Sequence, residues 1–104
     1  MSYDHSSRRI LVTGAANGLG LGIARILGGA GARLALADVD AKVHERAAEP
    51  EFAGRAIALV RDLAEPEAAH WLIEESVRAM GSLNGLVNCA AWSFHKPALA
   101  TTIA

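Results

Sequence analysis

The sequence predicts an α/β fold, a doubly wound parallel sheet with strand order 3-2-1-4. Three observations predict it. Short apolar segments rich in strand formers alternate with segments whose apolar residues recur at helical spacing. A glycine-rich turn, Thr13-Gly14-Ala15-Ala16-Asn17-Gly18-Leu19-Gly20, stands where the first strand gives way to the first helix. Gly14, Asp38, Asp62 and Asn88 each follow a strand and are separated by 24, 24 and 26 residues. Strands alternating with helices pair in parallel through right-handed crossovers, so these four ends share one rim.

Residues 1–7 read as a flexible polar tail, and residues 8–104 as one domain. The first strand is expected over 8–12. A helix follows over 18–30, with Leu19, Ile23, Ile26, Leu27 and Ala30 on one face, and stops in Gly28-Gly29-Ala30-Gly31. The second strand, 33–37, is continuously apolar, as a strand covered on both sides should be. Asp40 is placed to cap a short helix over 41–49, which Pro50 ends. The third strand spans 56–60. Pro66 suits the first turn of the next helix, flanked by Glu65 and Glu67 near its positive end. Ala69, Leu72, Ile73, Ser76, Val77 and Met80 form that helix's buried stripe, and Gly81 ends it. The fourth strand spans 83–87. Residues 92–104 carry no firm pattern. The first two crossovers should lie on one face of the sheet and the third helix on the other.

Composition narrows the function classes. At 104 residues the chain is at most one domain, and 52% hydrophobic against 20% charged residues suits a buried core. A net charge of −1 offers no basic face for nucleic acid. Cys89 is the single cysteine, which excludes an internal disulfide and a cysteine-rich metal site. His5, His44, His70 and His95 are scattered without ligand spacing, so no metal site is assigned. No apolar run is long enough for a membrane span, and no signal peptide is legible, so a cytoplasmic protein is expected.

The rim carries the chemistry. A helix N-terminus has unpaired N–H groups and a positive dipole end, and glycines there admit a phosphate to the backbone. The Gly14–Gly20 turn is therefore assigned to a pyrophosphate. Asp38, 18 residues past Gly20, is placed to accept both hydroxyls of an adenine ribose. Its carboxylate would repel a 2′-phosphate by roughly 4 kcal/mol at 4 Å and an effective dielectric near 20, before solvent relaxes. No arginine or lysine stands directly beside Asp38, so NAD is favoured over NADP. Asp62 and Leu63 would border the adenine, and Asn88 offers a donor and an acceptor near the rim's centre. Each residue also has a plain structural role open to it. Asp38 could serve a turn, Asp62 a loop, and Asn88 the backbone around it.

Thr13-Gly-x-x-x-Gly-x-Gly20, Asp38, Asp62-Leu63 and Asn88-x-Ala90 together resemble the short-chain dehydrogenase/reductase family, from about residue 8 to the end. The resemblance implies a Rossmann-like fold and an oxidoreductase that interconverts an alcohol and a ketone through nicotinamide. It implies that Asn17, Gly18, Leu19 and Gly20 line the diphosphate, that Asp38 holds the ribose, and that Asp62, Leu63, Asn88 and Ala90 border the adenosine. Thr13 would tie the glycine turn to the fourth strand.

The chain departs from that pattern in two places. Ala91 stands where the family has glycine. The family's serine, tyrosine and lysine, the last two as Tyr-x-x-x-Lys, have no counterpart, since Tyr3 is the only tyrosine and Ser7 follows it by four. No catalytic residue is assigned, because making or breaking an alcohol needs a proton carrier of suitable pKa. The resemblance thus implies that the domain over 8–104 is partial: the chain looks like the amino-terminal half of such an enzyme, inactive alone, with the fourth strand's edge open to self-association. Two further readings stand beside it: a non-catalytic nucleotide-binding or interaction module, and an S-adenosylmethionine-dependent methyltransferase-like domain. The glycine spacing and Asp62-Leu63 argue against the latter. Trp92 and Phe94 could border a substrate, whose identity the sequence does not carry.

Overall fold

The computed structural model describes residues 5–90 and 101–103. Ala91, Trp92 and Phe94 lie outside the described residues, as does Tyr3. Strand β1 (Arg9–Thr13), helix α1 (Gly18–Gly29), β2 (Arg33–Asp38), α2 (Val43–Ala47), a 3-10 turn (Pro50–Phe52), β3 (Ala56–Val60), α3 (Ala68–Met80), β4 (Gly85–Asn88) and β5 (Thr101–Ile103) follow in order. The sheet order is β3-β2-β1-β4-β5. The pairs β1–β2, β2–β3 and β1–β4 are parallel, which gives the expected 3-2-1-4 arrangement.

Alternation along the strands builds two cores. Ile10, Val12, Leu34, Leu36 and Val87 face one side, where α1, α2 and the buried Phe52 cover them. Leu11, Ala35 and Ala37 face the other side, beneath Leu72 and Met80 of α3. The first two crossovers thus share one face and the third takes the other, as topology requires.

Several local expectations are corrected. In α1 the buried residues are Gly20, Leu21, Ala24 and Gly28, while Leu19 and Ile26 are 62% and 74% exposed. Small residues face inward there because the helix lies very close to its neighbours: a Cβ at Gly28 would stand 2.5 Å from the Phe52 ring. In α3 the buried stripe is Ala68, Leu72, Ser76 and Met80, with Ala69, Ile73 and Val77 exposed. Ser76 is tolerated inside because its hydroxyl donates to the Leu72 carbonyl at 2.7 Å. This helix begins at Ala68, after Pro66 rather than around it. Asp40 sits one turn ahead of α2, where its carboxylate accepts the Lys42 N–H at 2.9 Å, and Pro50 opens the 3-10 turn instead of closing α2.

Residues 5–7 and 101–103 are hydrogen-bonded to the body of the fold. The His5 N–H donates to the Ala30 carbonyl at 2.9 Å, and the Asn84 side-chain amide donates to the Ser7 carbonyl at 3.1 Å. Strand β5 pairs antiparallel with β4, with Leu86 opposite Ile103 and Asn88 opposite Thr101. The β4 edge, expected to be open, is therefore paired, and β5 is the outer strand on that side of the sheet. Among the described residues, no helix is long and apolar enough to cross a membrane.

Candidate functional site

Register places the strand ends together. Thr13 at the end of β1 pairs with Ala37 of β2 and with Asn88 of β4, and Asp38 pairs with Val60 of β3. Gly14, Asp38, Asp62 and Asn88 consequently lie along the carboxyl rim. Between β1 and β4 the chain order reverses, the crevice where open α/β sheets take ligands.

The glycine turn is close-packed against both neighbours. Gly14 has φ +68°, and a Cβ on it would stand 2.5 Å from the Cys89 carbonyl oxygen. A Cβ on Gly20 would stand 2.2 Å from the Gly14 carbonyl oxygen. Neither position accepts a side chain without moving backbone. Helix α1 then starts with Gly18, and Asn17 at its N-cap makes no side-chain cap bond. The first-turn N–H groups of an α-helix have no intrahelical partner, so this end of α1 presents donors and a positive dipole at the rim.

Asp38 is joined to the turn directly. One carboxylate oxygen accepts the Ala16 N–H at 2.9 Å, and the other accepts the Asp40 N–H at 3.0 Å. Each oxygen keeps a lone pair in reserve, so the group still has acceptor capacity for hydroxyls. Asn88 is likewise engaged. Its side-chain oxygen accepts the Thr13 hydroxyl at 2.7 Å and the Ala90 N–H at 3.3 Å. The Thr13 bond ties the glycine turn to β4, the role its resemblance implied. Asp62 is exposed and accepts the Ala64 N–H at 2.9 Å, while Leu63 packs into the α3-side core. Leu19 stands exposed at the opening of α1. The turn, Asp38 and Asn88 thus form one connected unit, with Asp62 on the same rim and outside that network.

Sequence reasoning missed Arg46. Its Nε donates to the Ala16 carbonyl at 2.8 Å, and its Nη1 lies 3.3 Å from the Glu49 carboxylate. Glu49 also receives a bidentate pair from Arg25, at 2.9 Å on each oxygen. The Arg25 hydrogen bond holds the Glu49 carboxyl below its usual range against the opposing cost of burial. Asp38 has no basic neighbour in sequence, but the fold brings a guanidinium onto the same residue, Ala16, that Asp38 holds. Cys89 is half-buried at the wall of the glycine turn, and burial raises its thiol pKa.

A family model described as short chain dehydrogenase matches residues 8–103. Over 95 residues the chain is 38% identical to 2,3-dihydroxy-2,3-dihydro-p-cumate dehydrogenase of Pseudomonas putida, covering 88% of this chain and 37% of that protein. It is 32% identical to L-fucose dehydrogenase of Bos taurus over 97 residues, covering 93% of this chain and 34% of that one. Among solved structures, L-sorbose reductase of Gluconobacter frateurii, complexed with NADPH and L-sorbose, superposes with a TM-score of 0.82 at 27% identity, over 93% of this chain and 38% of that chain. The chain therefore spans little more than a third of the length of these relatives. The glycine turn, its carboxylate partner and the matched span lead to one assignment: this chain belongs to the short-chain dehydrogenase family.

Proposed function

We propose that the rim binds a nicotinamide dinucleotide, NAD in preference to NADP, and that this chain is the cofactor-binding part of an oxidoreductase interconverting an alcohol and a ketone. The observation that carries the reading is the Asp38 carboxylate, hydrogen-bonded to the Ala16 N–H beside the Gly14–Gly20 turn. It is where a ribose following a bound diphosphate would present its hydroxyls.

The residues fit the group. Glycine at 14 and 20 keeps the turn free of side chains, and the N–H groups opening α1 attract the diphosphate. Asn17, Gly18, Leu19 and Gly20 would line it, Asp38 would accept the ribose hydroxyls, and Asp62, Leu63, Asn88 and Ala90 would border the adenosine side. The bound nicotinamide supplies a hydride acceptor or donor. The chain's own part is to bind and orient that ring. It has no tyrosine–lysine pair to move the substrate's proton, since Tyr3 is its only tyrosine. Binding without turnover by the chain alone follows.

Family membership leaves methyl transfer from S-adenosylmethionine without support. The experiment is a titration of tryptophan fluorescence with NADH, NADPH and S-adenosylmethionine, together with an assay for NAD-dependent turnover. NADH binding tighter than NADPH, without turnover, supports the proposal. No response to either nicotinamide cofactor refutes it, and turnover refutes the inactive assignment.

A further inference from the structure

We infer that Arg46 is a positioning residue for the diphosphate turn, held in place by Glu49 and Arg25. This inference rests on the dinucleotide reading above. The helix meant to receive the anion is not stabilised at its opening by its own sequence: Asn17, a residue type that caps well, makes no side-chain cap bond. The turn is instead held from outside at successive groups. The Ala15 N–H donates to the Ala37 carbonyl at 3.1 Å, the Ala16 N–H to Asp38 at 2.9 Å, and the Ala16 carbonyl accepts Arg46 Nε at 2.8 Å.

The last contact sets a direction. In a trans peptide the C=O and the following N–H point opposite ways. With the Ala16 carbonyl drawn toward α2, the Asn17 N–H points away from α2, and a carbonyl is removed from the surface an anion would approach. The Arg46 side chain that does this is 27% exposed, and its guanidinium is oriented by Glu49, whose side chain is 17% exposed. Glu49 is fixed in turn by the Arg25 fork at 2.9 Å on both oxygens. The brace thus runs from the middle of α1 through α2 back to the turn that opens α1.

The test is to compare Arg46→Gln, Arg46→Lys and Glu49→Gln with the full wild-type chain. Fluorescence titration gives NADH affinity, and competition gives ADP-ribose and adenosine. Arg46→Gln is expected to weaken NADH and ADP-ribose by about tenfold, the scale of one charge-assisted hydrogen bond, and adenosine by less than about twofold. Arg46→Lys, which keeps a cationic donor, should recover part of that loss. Glu49→Gln keeps the Arg46 charge and makes the chain more positive. Positioning predicts weaker diphosphate binding in it, whereas a mere field effect predicts tighter binding. Equal losses for adenosine and NADH, no loss in Arg46→Gln, or tighter NADH binding in Glu49→Gln would each overturn the inference while the wild type still binds. A wild-type chain that binds none of the three ligands overturns the dinucleotide reading and this inference with it.

Discussion

Asp38 and Ala16, 22 residues apart, are joined by a 2.9 Å hydrogen bond from the backbone N–H of one to the carboxylate of the other. The residue proposed to choose the cofactor therefore also holds the turn that binds it. Replacing it should produce two separable effects. In Asp38→Ala, loss of charge should shift the NADH:NADPH affinity ratio toward NADPH by about tenfold, and loss of the Ala16 partner should cost about 1–2 kcal/mol of stability. Cofactor titrations and thermal unfolding read the two effects independently. An unchanged affinity ratio would remove Asp38 from cofactor choice, whatever happened to stability.

Gly20 and Gly22 lie in the same first turns of α1, yet only one of them is sterically constrained. A Cβ at Gly20 meets the Gly14 carbonyl oxygen at 2.2 Å, while one at Gly22 meets nothing within 4 Å. Gly20→Ala should destabilise the chain by about 1–3 kcal/mol and abolish NADH binding, because backbone rather than a flexible side chain must move. Gly22→Ala should stabilise it by up to about 1 kcal/mol through helix propensity. Chemical denaturation of both variants checks the pair. Equal effects would mean that the turn is looser than this packing allows.

These contacts also explain what the sequence could and could not reveal. Strand order and the faces of the crossovers were legible because period and topology leave few alternatives. The buried faces of α1 and α3 were legible only in part: Ile23 and Leu27 pack against the core and Leu72, Ser76 and Met80 are buried, while Leu19, Ile26 and Ile73 are exposed. Periodicity follows bulky residues such as Ile26 and Ile73, whereas close approach selects Gly20, Ala24, Gly28 and Ala68. The rim residues were legible as glycine, acid and amide at strand ends. Arg46 was not, because a basic residue on a five-residue helix looks like any solvated charge until the fold brings it 2.8 Å from the Ala16 carbonyl. Strand β5 is three residues long, too short for alternation to register.

Glu49 should make the fold acid-sensitive. Its carboxyl is held below the usual range, chiefly by the Arg25 hydrogen bond. A depressed folded-state pKa gives stability that is present above the unfolded value, near 4.5, and lost as pH falls through the folded value. Wild type should therefore lose more stability than Glu49→Gln between neutral pH and the acid range below 4.5. The difference between the two unfolding curves isolates Glu49 from the other carboxylates that protonate alongside it. Parallel curves would show that the Arg25–Glu49 pair contributes nothing to folding.

Cys89 is the chain's single cysteine, so its chemistry can be followed without ambiguity. Burial raises its thiol pKa, which lowers the thiolate fraction at neutral pH. Its reaction with a thiol reagent at pH 7.5 should be at least about tenfold slower in the folded chain than in the denatured one, a pKa rise and restricted access acting together. The thiol also stands at the wall of the glycine turn: its Cβ lies 3.2 Å from where a Cβ on Gly20 would be, and its carbonyl faces Gly14. A bulky adduct there must displace the packing that sets the turn, so alkylated protein should bind NADH more weakly than untreated protein. Cys89→Ser, which cannot be alkylated, should be indifferent to the reagent. If alkylation were fast in the folded state, or left NADH affinity unchanged, the β4 end would not be packed against the turn in solution as it is here.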